Sequence, residues 1–195
     1  MTLKAETKPG LTAWQQSVLM LEAHKPYVAE MANAAEGFAH AWWSGRPWPA
    51  KLILAGPSGT GKTHVARKLH HWCCRTAFSR YESGLWGAHV PSCRFYHWPR
   101  LVDGFKSFAY DVLDDLCRDE MVVLDDAGSE HDPSKMAADK FCQIIGQREK
   151  RFTIVTTNIS PSDWGTKWDV RVADRLLRNS VVVDLTGAES YQARS

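Results

Sequence analysis

Gly56-Pro57-Ser58-Gly59-Thr60-Gly61-Lys62-Thr63 has the form G-x-x-x-x-G-K-[ST], a phosphate-binding loop. Each residue type has a physical task. The glycines let the backbone turn with positive φ and leave no Cβ between the main chain and a bound anion. The loop amides then converge and form an anion nest. Lys62 supplies a positive charge for the β- and γ-phosphates, and the Thr63 hydroxyl a ligand for Mg²⁺. A helix starting near Gly61 adds the positive end of its dipole. The flanks agree: Lys51 to Ala55 is a short apolar run suited to a buried strand, and His64 to Trp72 can continue as a helix. Gly56, Pro57, Ser58, Gly59, Thr60, Gly61, Lys62, Thr63 and His64 are accordingly the candidate residues for holding ATP.

Farther along, Met121-Val122-Val123-Leu124 leads into Asp125-Asp126. Four apolar residues followed by two carboxylates deliver acid to a phosphate loop. Asp125 would hold Mg²⁺ through water, since this ion dehydrates reluctantly. Asp126 stands where a carboxylate orients or deprotonates an attacking water. Thr156-Thr157-Asn158 ends another apolar run, and Asn158 would reach the γ-phosphate or the lytic water from the carboxyl edge of the sheet. Arg171, Arg175 and Arg178 recur at i, i+4 and i+7 of a helix. Arginines are the expected groups for phosphoryl-transfer charge, in the same chain or from a neighbouring subunit. Arg175 is the first candidate for that role and Arg171 the second.

The chain has 195 residues, enough for one well-buried domain and short for two. Its formal charge of +2 argues neither for nor against nucleic acid, so any basic surface must be local. Cys73, Cys74, Cys93, Cys117 and Cys142 are odd in number and include no C-x-x-C. That argues against a disulfide framework or a zinc site and for reduced thiols in a cytoplasmic protein. No apolar run approaches the ~18 residues that cross a bilayer, and no secretory h-region is visible.

Residues 1–45 carry two amphipathic helical patterns, Leu11 to His24 and Tyr27 to Trp42, separated by Pro26. They form an N-terminal helical segment ahead of a domain spanning 46–195. Trp42, Trp43 and Trp48 precede the first strand; they seal the sheet edge, the preferred reading, or pack on the adenine. Residues 79–93 read as a loop. After the strand at 51–55, further strands are expected at 94–98, 121–124, 152–156 and 181–185. Helices are expected at 101–117, at 134–150 with Ser134 as N-cap, and at 169–179. Strands alternating with helices predict an α/β domain with a five-stranded parallel sheet sandwiched by helices. The basic cluster Arg148 to Arg151 reads as a subunit contact or a solvated turn.

Together, GTGKTH, LDDAGSE, TTN and RVADRL followed by an apolar strand resemble the AAA+ ATPases of the DnaC/IstB group. These are replicative helicase loaders and transposition helper ATPases, relatives of the initiator DnaA. The resemblance covers about residues 40–190. It implies a P-loop NTPase of the AAA+ (ASCE) type, a homo-oligomer with ATP and Mg²⁺ at its subunit interfaces. Lys62 and Thr63 match the Walker A residues, Asp125 and Asp126 the Walker B acids, and Asn158 the first sensor. Arg175 matches the arginine finger offered to the adjacent subunit. The ending, Val181 to Arg194 with Ser190-Tyr191, is similar to loader C-termini. Asp126 stands where many AAA+ proteins have Glu, no helical lid is expected after residue 185, and the N-terminal segment is shorter than the helicase-binding domain of larger loaders.

In such ATPases the segment after the second strand contacts single-stranded DNA. Here it holds Trp98, Arg100, Phe105, Lys106, Phe108 and Tyr110, aromatics beside cations. Arg100 and Lys106 are the candidate contacts; Phe105 and Phe108 suit the core equally well. The implied function is an ATP-hydrolysing loader whose partner is a replicative helicase or another DNA enzyme. The alternatives are a transposition helper ATPase, a P-loop small-molecule kinase using the arginines at 171–178 as a lid, and an adaptor that binds ATP without hydrolysing it.

Overall fold

The computed structural model describes residues 12–20, 26–45, 49–84, 90–106, 110–132 and 134–190. The expectations placed on Leu11, Leu21, His24, Trp48, Phe108 and Tyr191 fall outside these residues. Strand β1 (Lys51–Ala55) is buried along its whole length, as a continuous apolar run between two neighbours must be. It pairs in parallel with β4 (Phe152–Thr157) on one side and β5 (Ser180–Asp184) on the other. Next to β4 lies β3 (Met121–Ala127), and next to β3 the edge strand β2 (Cys93–His97). The order is β2-β3-β4-β1-β5, the expected five-stranded parallel sheet. One strand, β4, separates the strand that leads into the glycine loop from the strand that carries the acids. All three end at the carboxyl edge, where open α/β sheets bind their ligands.

Successive residues of β1 face opposite layers. Leu52 and Leu54 meet α1 (Pro26–Ser44) and α2 (Lys62–Glu82) through Met31, Phe38, Trp42, Val65 and Leu69. Ile53 and Ala55 meet the other layer: α3 (Trp98–Lys106), α4 (Tyr110–Arg118), α5 (Met136–Gln147), the short α6 (Trp164–Lys167) and α7 (Val170–Leu177). Trp42 is fully buried, edge-on to Phe152 at 5.3 Å, with the Arg80 guanidinium 4.5 Å over its ring. It packs in the core on β4, an interior strand, rather than at the sheet edge as expected.

Several boundaries differ from the sequence pattern. The expected loop at 79–93 is helical through Glu82, because Ala77 and Arg80 are buried and extend the inner face of α2. The single helix expected over 101–117 is two, α3 and α4, and Trp98 opens α3 rather than closing β2. The pattern from Leu11 yields a π-helical turn, Gln15–Leu19, in the described part. Ser134 is not the N-cap of α5. Lys135 holds that position with φ 58°, and the Asp132 carboxylate takes the amide of Ala137 at 2.6 Å.

The basic cluster also needs correction. Arg148 is not solvated but wholly buried. Its guanidinium donates to the carbonyls of Leu116, Asp119 and Phe152 at 2.6, 2.8 and 2.8 Å and to Thr153 Oγ1 at 3.1 Å. A planar fork of donors matches these converging acceptors and ties α4 and α5 to the start of β4. Arg148→Ala would strand all four acceptors away from water. It is expected to lower stability by ~3 kcal/mol or more, measured as a lower urea midpoint with unchanged slope. A midpoint equal to the wild type would refute this assignment.

Candidate nucleotide-binding site

β1 ends at Ala55, and the chain turns through residues 56–61 into α2. At Gly56, with φ 136°, a Cβ would lie 2.6 Å from the carbonyl carbon of Leu185. The loop passes that close to the end of β5 only because no side chain is present. Thr60 is buried and closes the loop on itself, its hydroxyl donating to Pro57 O at 3.0 Å. Lys62 is buried, and its ammonium donates to the carbonyls of Gly56 and Pro57, each at 2.7 Å. The lysine cation is therefore held inside the loop. Burial lowers its pKa to about 8, while the Asp126 and Asp125 carboxylates oppose that shift.

Asp125 is 2% exposed. Its Oδ1 accepts the hydroxyl of Thr63 at 2.8 Å and that of Thr156 at 2.7 Å. Thr156 Oγ1 in turn accepts the amide of Asp126 at 2.9 Å. At Asp126 the backbone leaves the extended region, with φ 63°, and the β3–β4 register shifts between Leu124 and Ala127. Asp tolerates this left-handed conformation better than most side chains. The irregularity turns the Asp126 side chain out of strand alternation, as bulges beside active sites do. Ser129 and Asn158 both donate to its Oδ1, at 2.6 and 2.9 Å, and His97 Nε2 stands 4.0 Å from its Oδ2.

Lys62, Thr63, His97, Asp125, Asp126, Thr156 and Asn158 line one cleft of about 730 Å³. It brings together Ser58, Gly59, Gly61, Lys62, Thr63, His64, Asp125, Asp126 and Asn158, all read from the sequence. Asn158 was expected on a phosphate or a water; here it donates to Asp126. His64 Nε2 lies 2.8 Å from Leu19 O and fastens the N-terminal turn to the mouth of the cleft, where Met20 joins the lining. Sequence reasoning set Thr156 at the carboxyl edge only as part of its motif and gave no role to Ser129, His97, Arg67 or Met20. His97 had a signal: as the last residue of β2 it pairs in register with Asp125, but that is legible only once the strand order is known.

The remaining candidates lie elsewhere. The Arg175 guanidinium donates to Cys142 O at 2.6 Å, and its own carbonyl accepts Lys51 Nζ at 2.7 Å. Lys51 begins β1, so Arg175 sits at the end of that strand away from the glycine loop. With Gly146, Glu149 and Arg178 it lines a separate surface hollow. Arg171 is exposed and paired with Asp169 and Asp139 at 3.1 and 3.5 Å. Arg178 lies past the end of α7, on Asp174. Arg100 lines a groove with Arg67, Phe95, Tyr96, His97 and Phe105, next to the cleft. Lys106 is exposed and pairs with Asp103 at 3.0 Å.

Known proteins are similar to this chain in sequence and in fold. The ATP-binding protein of insertion sequence IS232 from Bacillus thuringiensis subsp. berliner is 29% identical over 150 residues, 73% of this chain and 56% of that protein. The corresponding protein of IS1162 from Pseudomonas fluorescens is 30% identical over 115 residues, 59% and 46% of the two chains. The chain thus spans about half the length of these curated relatives. Among solved structures, DnaI superposes with a TM-score of 0.68 at 19% identity, over 86% of this chain and 89% of its own. The DnaC helicase loader superposes with a TM-score of 0.67 at 19% identity, over 87% and 96%. These two likenesses are of fold. The IstB-like ATP binding protein family matches residues 48–195, three quarters of the chain and every residue of the cleft except Met20, and the protein belongs to that family.

Proposed function

We propose that the protein hydrolyses ATP, with Mg²⁺, at an interface between copies of itself, and that this cycle loads a replicative helicase onto DNA. The observation that carries the hydrolytic part is the Asp126 carboxylate, held by Ser129 and Asn158 beside the Asp125, Thr63 and Thr156 cluster. The loader part rests on the shared fold with DnaI and DnaC. A second reading, a helper ATPase of transposition, is favoured by relatives that are ATP-binding proteins of insertion sequences. In either case the partner is another DNA enzyme. Arg100 and Lys106 are proposed contacts for single-stranded DNA, supported by the exposed groove of aromatics and cations around Arg100.

The donor set fits Mg²⁺: a hydroxyl and a carboxylate, both hard oxygen ligands, in mutual contact. When bound, the ion neutralises charge developing on the phosphates. Thr63 and Asp125 would hold it. The Lys62 ammonium would exchange two loop carbonyls for phosphate oxygens. Asp126, with Oδ1 fixed by two donors, would present Oδ2 as acceptor for a proton of the attacking water. Arg175 cannot serve the cleft of its own chain from the far end of β1, which supports a role across an interface, with Arg171 the second candidate.

Three outcomes test this reading. Asp126→Asn is expected to bind ATP as the wild type does and to lose hydrolysis by about 100-fold or more. Phosphate release at the wild-type rate would remove Asp126 as the acceptor. In a mixing assay, Arg175→Ala and Lys62→Ala chains, each inactive alone and each confirmed folded, are expected to recover part of the activity together. One interface of the mixed pair joins an intact Lys62 to an intact Arg175. No recovery, with a rate per chain independent of concentration, would move the reading toward a kinase acting within one chain.

The third outcome is a pH dependence. Burial disfavours the charged form of Lys62 in the free protein, down to about 8, and bound phosphates favour it. Above that pH, binding must take up a proton. Affinity is therefore expected to be steady below about pH 8 and to weaken as pH rises further, by up to about tenfold per unit. Calorimetric titration of ATP across this range measures it. Constant affinity into the alkaline range would show that Lys62 is not the group that answers the phosphates.

A further inference from the structure

Outside the nucleotide cleft, four side chains meet where the middle of α2 crosses the edge strand β2. His70 and Cys74 are four residues apart on the helix and share a face. Cys93 and Phe95 are two residues apart on the strand and share a face. The pairs oppose each other. The His70 ring stands edge-on to Phe95, 5.6 Å between centroids. Cys74 Sγ lies 4.0 Å from the carbonyl of Cys93, and His70 Nε2 is 3.4 Å from Cys74 Sγ. Cys74 is exposed and Cys93 half-buried, whereas the adjacent Cys73 is fully buried in the core.

We propose that Cys74 and Cys93 form a peroxide-oxidisable thiol pair, with Cys74 the attacking and Cys93 the resolving sulfur, that closes to a disulfide between α2 and β2. The Cys74 thiolate attacks one oxygen of a hydroperoxide. An S–O bond forms as the O–O bond breaks, and the second oxygen leaves as hydroxide or alkoxide and takes a proton. The Cys93 sulfur then attacks the Cys74 sulfenic acid. The S–S bond forms as the S–O bond breaks, and the hydroxyl leaves as water with the Cys93 proton. With hydrogen peroxide, two thiols give one disulfide and two waters. The sulfurs lose two electrons and the peroxide gains them.

The surroundings divide the roles, since the thiolate is the nucleophile. The neighbouring Cys93 thiol, followed by the hydrogen bond with His70 and the charge of His70 and His71, holds Cys74 well below the ordinary thiol range. The neighbouring Cys74 and burial push Cys93 far above it. Cys74 Sγ already stands against the backbone of Cys93, so the two cysteines face each other across α2 and β2 as a bridge requires. The bridge would tie the helix that carries Lys62 and Thr63 to the strand that ends at His97.

The test uses the reduced full chain. Iodoacetamide at neutral pH is expected to modify Cys74 about tenfold faster than Cys117, and His70→Asn is expected to slow Cys74 while leaving Cys117 unchanged. Hydrogen peroxide, followed by a non-reduced digest, is expected to yield one intramolecular Cys74–Cys93 peptide, reversed by dithiothreitol and absent from Cys74→Ser and Cys93→Ser. Peroxide-treated Cys93→Ser should stop at a Cys74 sulfenic acid that dimedone traps. The proposal is overturned if Cys74 is modified no faster than Cys117 or if peroxide joins other pairs. It is equally overturned if the wild type reaches Cys74 sulfinic acid with no bridge. Cross-linking in the wild type without a dimedone adduct in Cys93→Ser would overturn the division of roles.

Discussion

One carboxylate oxygen organises the site. Asp125 Oδ1 accepts hydroxyls from Thr63, in the first turn of α2, and from Thr156, near the end of β4. Through it the acid strand, the strand beside it and the helix behind the glycine loop are held at one point. A carboxylate this buried would be costly without partners. The two hydroxyls therefore stabilise the charge and at the same time fix the loop relative to the acids. Thr156 also holds the Asp126 amide, so the position of the second acid depends on the same contact. A cation entering the cleft would meet oxygen ligands already gathered, and little reorganisation would be needed to bind it.

The local parts of this arrangement are legible in the sequence because their physics is local. A glycine loop followed by Lys62 and Thr63 needs its own spacing and nothing else. The buried strands show themselves as apolar runs, and all five are found within a residue or three of the expected bounds. Arg148 shows the opposite case. Its neighbours Glu149, Lys150 and Arg151 are exposed, so the local pattern reads as a solvated turn. Its role comes from the carbonyls of Leu116 on another helix and of Asp119 just past that helix, which no local window contains. The same holds for His97, brought opposite Asp125 by strand order. Asp132 is a local case: the chain enters α5 through a left-handed Lys135, and the Asp132 carboxylate accepts the amide of Ala137.

The region ahead of the glycine loop is more closely joined to the site than its sequence suggests. Two amphipathic patterns read as a separate helical segment. In the fold, α1 lies directly on the sheet layer formed by Leu52, Leu54 and Ile154. The preceding turn buries Leu19, presents its carbonyl to His64, and sets Met20 with its sulfur 2.9 Å from Lys68 Nζ. The mouth of the cleft is thus built from both ends of the described N-terminal half, and a change in that turn would be felt where a ligand enters.

The strand order also dictates when a ribosome can deliver a working cleft. β1 and its glycine loop emerge early, but both strands that flank β1 are made late: β4 begins at Phe152 and β5 at Ser180. Until translation passes Asp184, β1 lacks β5 and has at least one bare edge. Before β4 it has two. Such an apolar strand can be capped by any passing chain, and closing pairings this distant in sequence is slow. A message cut short after the glycine loop would encode no half-active nucleotide binder. It would encode an aggregation seed, and the cell's quality-control machinery would have to shield or degrade it.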